Sequence, residues 1–170
     1  MLTAMLIFRL LHVISAVLWV GGVVLLAYFI MPAVRAAGPS GGQVMRHLLV
    51  RTPLAAYFPS VGGLTVLSGL GMFWVNSRIA VGNWGATGPG ITYSIGGLAG
   101  LLALVIGGVM IGRAIGELKR IAMASDPTAP PSAEQAAHIL QLQQRADKGT
   151  RIILPLLGIA VVAMAVARYV

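Results

Sequence analysis

A histidine inside an otherwise apolar run is the residue of this chain with the most distinct chemistry. His12 lies in the stretch Arg9-Leu10-Leu11-His12-Val13-Ile14-Ser15-Ala16-Val17-Leu18-Trp19-Val20-Gly21-Gly22. On a helix, steps of three and four residues bring side chains to one side, so His12, Ser15, Trp19 and Gly22 share a face. An ionisable side chain within a membrane span is costly to place and therefore reads as functional. Three roles for His12 stand side by side. It can pack between helices, hydrogen-bonded to another span or to interfacial water. It can be an axial ligand to a haem b lying between helices, with a methionine as the sixth ligand. It can also ligate copper, with His12 nitrogen and a methionine sulfur such as that of Met72 offering donors suited to Cu(I). Depth counting places Met72, Trp74 and Asn76 at the level of His12, and Met164 somewhat deeper. The candidate cofactor-binding residues are thus His12, Ser15, Trp19 and Met72, with His12 and Met72 the candidate metal ligands. A second histidine for haem would have to be His47 or His138, and both belong to the opposite side of the membrane.

The elements that must position this face follow from composition. The chain is 58% hydrophobic and 9% charged, with a mean hydropathy of +0.90. A soluble domain carries about 25% charged residues, so this sequence cannot face water on all sides. The expected fold is an all-α, integral membrane four-helix antiparallel bundle in one domain, residues 1–170, with spans at roughly 3–31, 57–75, 93–115 and 151–169. The first apolar run exceeds the 7–15 residues or so of a signal-peptide core, which predicts a retained helix. Pro32 ends it, a short amphipathic helix is expected between Arg35 and Arg51, and Pro53 and Pro59 bracket the start of the second span. Ser132 with Gln135 three residues on is a capping-box signal that opens a polar cytoplasmic helix over about 133–146. Pro155 is expected in the first turn of the last span.

Charge sets the orientation. Nine of the 12 lysines and arginines fall in the first and third connections, between Arg35 and Arg51 and between Arg113 and Arg151. By the positive-inside rule those connections are cytoplasmic, both termini face outward, and the membrane is a bacterial-type inner membrane. The net charge of +8 is therefore a membrane-topology signal rather than a nucleic-acid footprint. Arg46 and Arg51 on the inner side and Trp84 and Tyr93 on the outer side are the expected lipid and interface contacts. The expected partners are membrane lipid and other membrane helices, in a homo-oligomer or a larger complex.

Other chemistries are excluded or weak. Cysteine is absent, so disulfides, thiolate metal sites and thiol catalysis are ruled out. The carboxylates Glu117, Asp126, Glu134 and Asp147 all lie between the third and fourth spans, which leaves no intramembrane carboxylate relay. The glycine pairs within the spans are not phosphate loops, because no strand-to-helix turn carries them. Gly96, Gly100, Gly108, Gly112 and Gly116 are separated by multiples of four, a small-residue pattern for close helix packing against a neighbour in this chain or another.

The run from Leu11 to Gly22 resembles the first-span signature of the copper-resistance protein D-like integral membrane family. It is also similar to a related four-helix group, the bacterial protoporphyrinogen oxidases, which shows a Leu-His…Trp-x-Gly pattern. The likeness extends to a basic first connection, a glycine-rich second span and a polar helix running into a last span that ends at Ala167-Arg168-Tyr169. The oxidase-like pattern is not continued at the end of the first span, where Tyr28-Phe29-Ile30-Met31-Pro32 stands. The resemblance implies a small copper-resistance-like membrane protein that binds copper or haem through His12. A non-catalytic accessory subunit of a larger membrane complex and a haem-synthesis oxidase relative are the alternatives.

Overall fold

The computed structural model describes residues 2–79, 83–126 and 131–170. The described residues form helices α1 (Leu2–Ala36), α2 (Gly38–Arg51), α3 (Leu54–Ile79), α4 (Gly88–Ala124) and α5 (Ala133–Val166), with a short 3-10 turn at Trp84–Ala86. Four of these helices, α1, α3, α4 and α5, are long and apolar enough to cross a membrane. The fold is an all-α, multi-pass membrane-spanning bundle, without β-strands among the described residues.

Helix length differs from expectation in an informative way. The 34 residues of α5 would run for about 51 Å at 1.5 Å per residue, well beyond a hydrocarbon layer about 30 Å thick. The polar helix and the last span are therefore one continuous helix. Pro155 sits in its interior rather than in a first turn. It cannot donate to the carbonyl one turn back, that of Arg151. The helix continues because Ile153 and Leu157 on either side are buried in the core. Likewise α4 runs on past the apolar part of its sequence to Ala124, and Pro59 lies inside α3. Pro32 does not end α1. A π turn over Leu26–Ile30 widens the helix just before it, with the Met31 amide donating to the Leu26 carbonyl, and the helix proceeds to Ala36.

Inside the apolar layer the helices form two antiparallel pairs, α1 with α3 and α4 with α5. Trp19 and Val23 of α1, Ala103 of α4, and Ile153 and Leu157 of α5 make the shared core. The outward surface is apolar: Leu10, Val17, Leu67, Leu98, Val105 and Val162 are all exposed. This inside-out arrangement is what a bilayer solvent requires, since lipid rather than a protein interior receives the apolar side chains.

Beyond the apolar layer, α2 and the basic ends of α4 and α5 make a second, polar layer. Gly38 holds φ +56° between α1 and α2, the left-handed conformation in which a glycine closes a helix end. Three residues on, Gly41 lies against the Val34 carbonyl so closely that a Cβ there would sit 1.9 Å from the oxygen. Ser132 Oγ accepts from the Gln135 amide at 3.2 Å, which starts α5 as the capping box requires. The rest of the box is redirected: the Gln135 side-chain amide donates to Ser125 Oγ at 2.7 Å, joining α5 to the end of α4. Arg35 and Asp147 form an ion pair between α1 and α5. His138 and Glu117 meet at 3.1 Å across α4 and α5, and Arg120 joins the same carboxylate. The hydrogen bond with His138 is the main reason the Glu117 carboxyl is held below its ordinary range.

Candidate functional site

The site is built where α1 and α3 press together. Trp19 and His12 are seven residues apart on α1, and Gly62 and Gly69 are seven apart on α3. Because the helices run antiparallel, each large ring meets a glycine. A Cβ on Gly62 would lie 3.0 Å from Trp19 Cε2, and one on Gly69 would lie 3.1 Å from His12 Cε1. Phe8 and Gly71 repeat the arrangement further out, with Cβ positions 2.8 Å from the ring. Gly62, Gly69 and Gly71 of the second span thus make slots for rings of the first, whereas a Cβ on Gly63 meets nothing within 4 Å. Seven residues are nearly two helical turns, which keeps Gly62 and Gly69 on one side.

Between the rings lies a polar bridge. Ser15 is 2% exposed; its hydroxyl donates to the Leu11 carbonyl at 2.6 Å and lies 2.9 Å from Thr65 Oγ1. Thr65 Oγ1 is also 2.8 Å from the Val61 carbonyl, and Ser68 Oγ donates to the Leu64 carbonyl. Every one of these groups has a partner, as polar atoms in a membrane interior must.

His12 completes the bridge. Its Nδ1 lies 2.8 Å from the carbonyl oxygen of Thr65. A carbonyl oxygen only accepts, so Nδ1 carries a proton, and in the neutral imidazole Nε2 holds the lone pair. Nε2 has no hydrogen-bond partner among the described residues and is not sealed inside the bundle. A backbone carbonyl bound to one ring nitrogen, with the other left as a donor, is the arrangement that orients histidine ligands of metals.

The other candidates from sequence are placed as follows. Ser15 joins the bridge to Thr65, and Trp19, 5% exposed, belongs to the bundle core rather than to an open face. Gly69 of α3 is the residue against the His12 ring, and Met72 follows it by three residues, about one helical turn along α3. Trp84 stacks on Tyr93 at 6.1 Å between ring centres, with Phe73 edge-on at 5.3 Å, so the aromatics at that boundary tie α3, the short connection and α4 together. Arg46 faces inward: its Nε and Nη2 donate to the Ala122 carbonyl at 3.1 and 2.7 Å, and Nη2 donates to the Ser125 carbonyl at 3.0 Å, closing the end of α4. Arg51 is exposed at the end of α2.

The glycines of α4 do not share one side. Gly96 packs on Ala160, Ala163 and Met164 of α5, whereas Cβ positions at Gly100, Gly108 and Gly116 meet nothing within 4 Å, and Gly112 approaches only Gly107 of its own helix. Each step of four residues over-rotates by about 40°, so Gly96 and Gly116 differ by about 200° around a straight helix. A π turn over Gly107–Gly112 shifts the register further, and Arg145 donates to the Val109 carbonyl within it at 3.2 Å.

Sequence reasoning named the α1 face but not its partners on α3. The signal was the equal spacing of His12 to Trp19 and Gly62 to Gly69. The site belongs to a multi-pass helical membrane protein, with one oriented imidazole at the seam of two spans. No family model, curated protein or solved structure matches the chain. Among the described residues no group of three or more His, Cys, Asp or Glu could hold a metal ion.

Proposed function

We propose that this chain is a small inner-membrane protein of the copper-resistance protein D-like type, using His12 as a ligand for haem b or copper and carrying out no catalysis of its own. The observation that carries the reading is the Nδ1 bond to the Thr65 carbonyl, which leaves Nε2 as a fixed donor at the seam of α1 and α3. Haem fits this donor set better than a bare copper ion. Porphyrin brings four nitrogens, so the protein need supply only an axial ligand. Copper needs further donors, and Met72 is offset from His12 by about one turn. Haem would supply one-electron redox chemistry. The protein's part is to orient the imidazole through Thr65 and to provide the flat slot at Gly69. In this reading the Arg-rich end is cytoplasmic and both termini face outward, as the charge distribution favours.

A second reading, a non-catalytic subunit of a larger membrane complex, has its own support. Gly100 and Gly108 leave an uncovered small-residue surface on α4, where another membrane helix can approach closely. Visible absorption and copper analysis of the purified protein separate the readings. A Soret band lost in His12→Ala supports haem, and a colourless protein with stoichiometric copper lost in the same variant supports copper. Absence of both, with a co-purifying membrane partner, supports the subunit reading.

A further inference from the structure

The bundle carries a second feature unrelated to His12. α1 and α5 meet at two levels: Trp19 and Val23 share a core with Ile153 and Leu157, and in the polar layer Arg35 pairs with Asp147. Between these levels the helices part around a groove of about 480 Å³ lined by Val24, Tyr28, Arg151, Leu154 and Pro155. The groove lies where the apolar sequence of both helices gives way to charge, which is the headgroup level of a bilayer.

Its lining is amphipathic in one direction. Val24 and Leu154 form the wall on the apolar side, and Tyr28 and Arg151 stand one turn nearer the polar layer. The Arg151 guanidinium is exposed, and among the described residues no carboxylate pairs with it, Asp147 one turn away being held by Arg35. Nor does the Tyr28 hydroxyl have a partner among the described residues.

We propose that this groove is a binding site for an anionic phospholipid. The guanidinium fork donates to two phosphate oxygens, the Tyr28 hydroxyl donates to the same phosphate, and an acyl chain lies along Val24 and Leu154. A headgroup without its own ammonium is preferred, because a zwitterionic headgroup brings a cation that competes with Arg151 for the phosphate. The site is independent of any ligand at His12.

The test uses the full chain in nanodiscs of phosphatidylcholine containing a minor fraction of phosphatidylglycerol, with lipid retained on the protein read by native mass spectrometry. The wild type is expected to retain phosphatidylglycerol above its share of the bilayer. Arg151→Gln lowers that preference about tenfold, the loss of one charge-assisted fork. Tyr28→Phe lowers it less, Arg151→Lys restores part of it, and Arg113→Gln at an exposed position of α4 leaves it unchanged. No enrichment by the wild type, an unchanged preference in Arg151→Gln, or an equal fall in Arg113→Gln would each overturn the proposal.

Discussion

The imidazole of His12 is joined to the backbone of Thr65 at 2.8 Å, across the seam between the first and second spans. The bond runs to a main-chain oxygen, so it does not depend on the Thr65 side chain. It turns Nδ1 toward Thr65, with Gly69 against the ring.

Thr65→Val separates the two jobs done at this residue. The substitution keeps the carbonyl that holds His12 and removes the hydroxyl that meets Ser15 at 2.9 Å. Interhelical side-chain hydrogen bonds in membranes contribute about 0.6 kcal/mol on average and up to about 1.7, so a loss in that range is expected in equilibrium unfolding from mild detergent. Any cofactor spectrum of the protein should stay as in the wild type. A lost spectrum would place the hydroxyl itself in the site.

The slots at Gly62 and Gly69 predict opposite signs for glycine substitutions along the bundle. Gly62→Ala brings a methyl to 3.0 Å from the buried Trp19 ring, and overpacking of this kind costs about 1–3 kcal/mol. Gly97→Ala meets nothing within 4 Å, so helix propensity should make it neutral or stabilising by up to about 1 kcal/mol. Thermal unfolding of the two variants in the same detergent checks the contrast.

Arg46 is a structural cation. Arg46→Ala removes the donors on the Ala122 and Ser125 carbonyls, hydrogen bonds of a charged group worth about 1.5–3 kcal/mol. Amide exchange in the last turn of α4 should quicken while the apolar part of α4 is unaffected. Arg46→Lys should recover only part of the protection, since an ammonium lacks the fork.

Acid should loosen the polar layer between α4 and α5. Glu117, beyond the apolar part of α4, is held below its ordinary carboxylate range first by its hydrogen bond to His138, against an opposing effect of burial, with the nearby His138 and Arg120 charges adding smaller pulls downward. The folded chain therefore takes up this proton less readily than the unfolded one. The stabilisation is complete above the ordinary glutamate range and is lost as the pH falls through the lowered value. Exchange of the α4–α5 amides around Glu117 and His138 should rise in acid, and Glu117→Gln should flatten that part of the response.

The four spans were legible because apolar runs long enough for a bilayer leave few other folds, and His12 was legible because it is the lone histidine within them. Its surroundings were less so. Thr65 and Ser68 look in sequence like any small polar residues of a span, and only the antiparallel register of α1 and α3 brings Thr65 to His12. Depth counting brings Met72 near the histidine's level but measures only height along the membrane, so it does not reveal that Gly69 is the residue against the ring. The glycines of α4 form one stripe only if four residues make a full turn; the excess rotation accumulates until Gly96 is buried and Gly116 is open. Arg46 was read from charge as a lipid contact, whereas its guanidinium is engaged by carbonyls that a sequence cannot locate.

The central claim is that His12 presents Nε2 as a ligand. It is tested most directly by titrating haemin into the purified, cofactor-free chain and into its His12→Ala variant, following the Soret band. Saturable binding with a shifted, histidine-ligated spectrum is expected in the wild type and its loss in His12→Ala, with both proteins equally helical. An identical titration of the two proteins would contradict it.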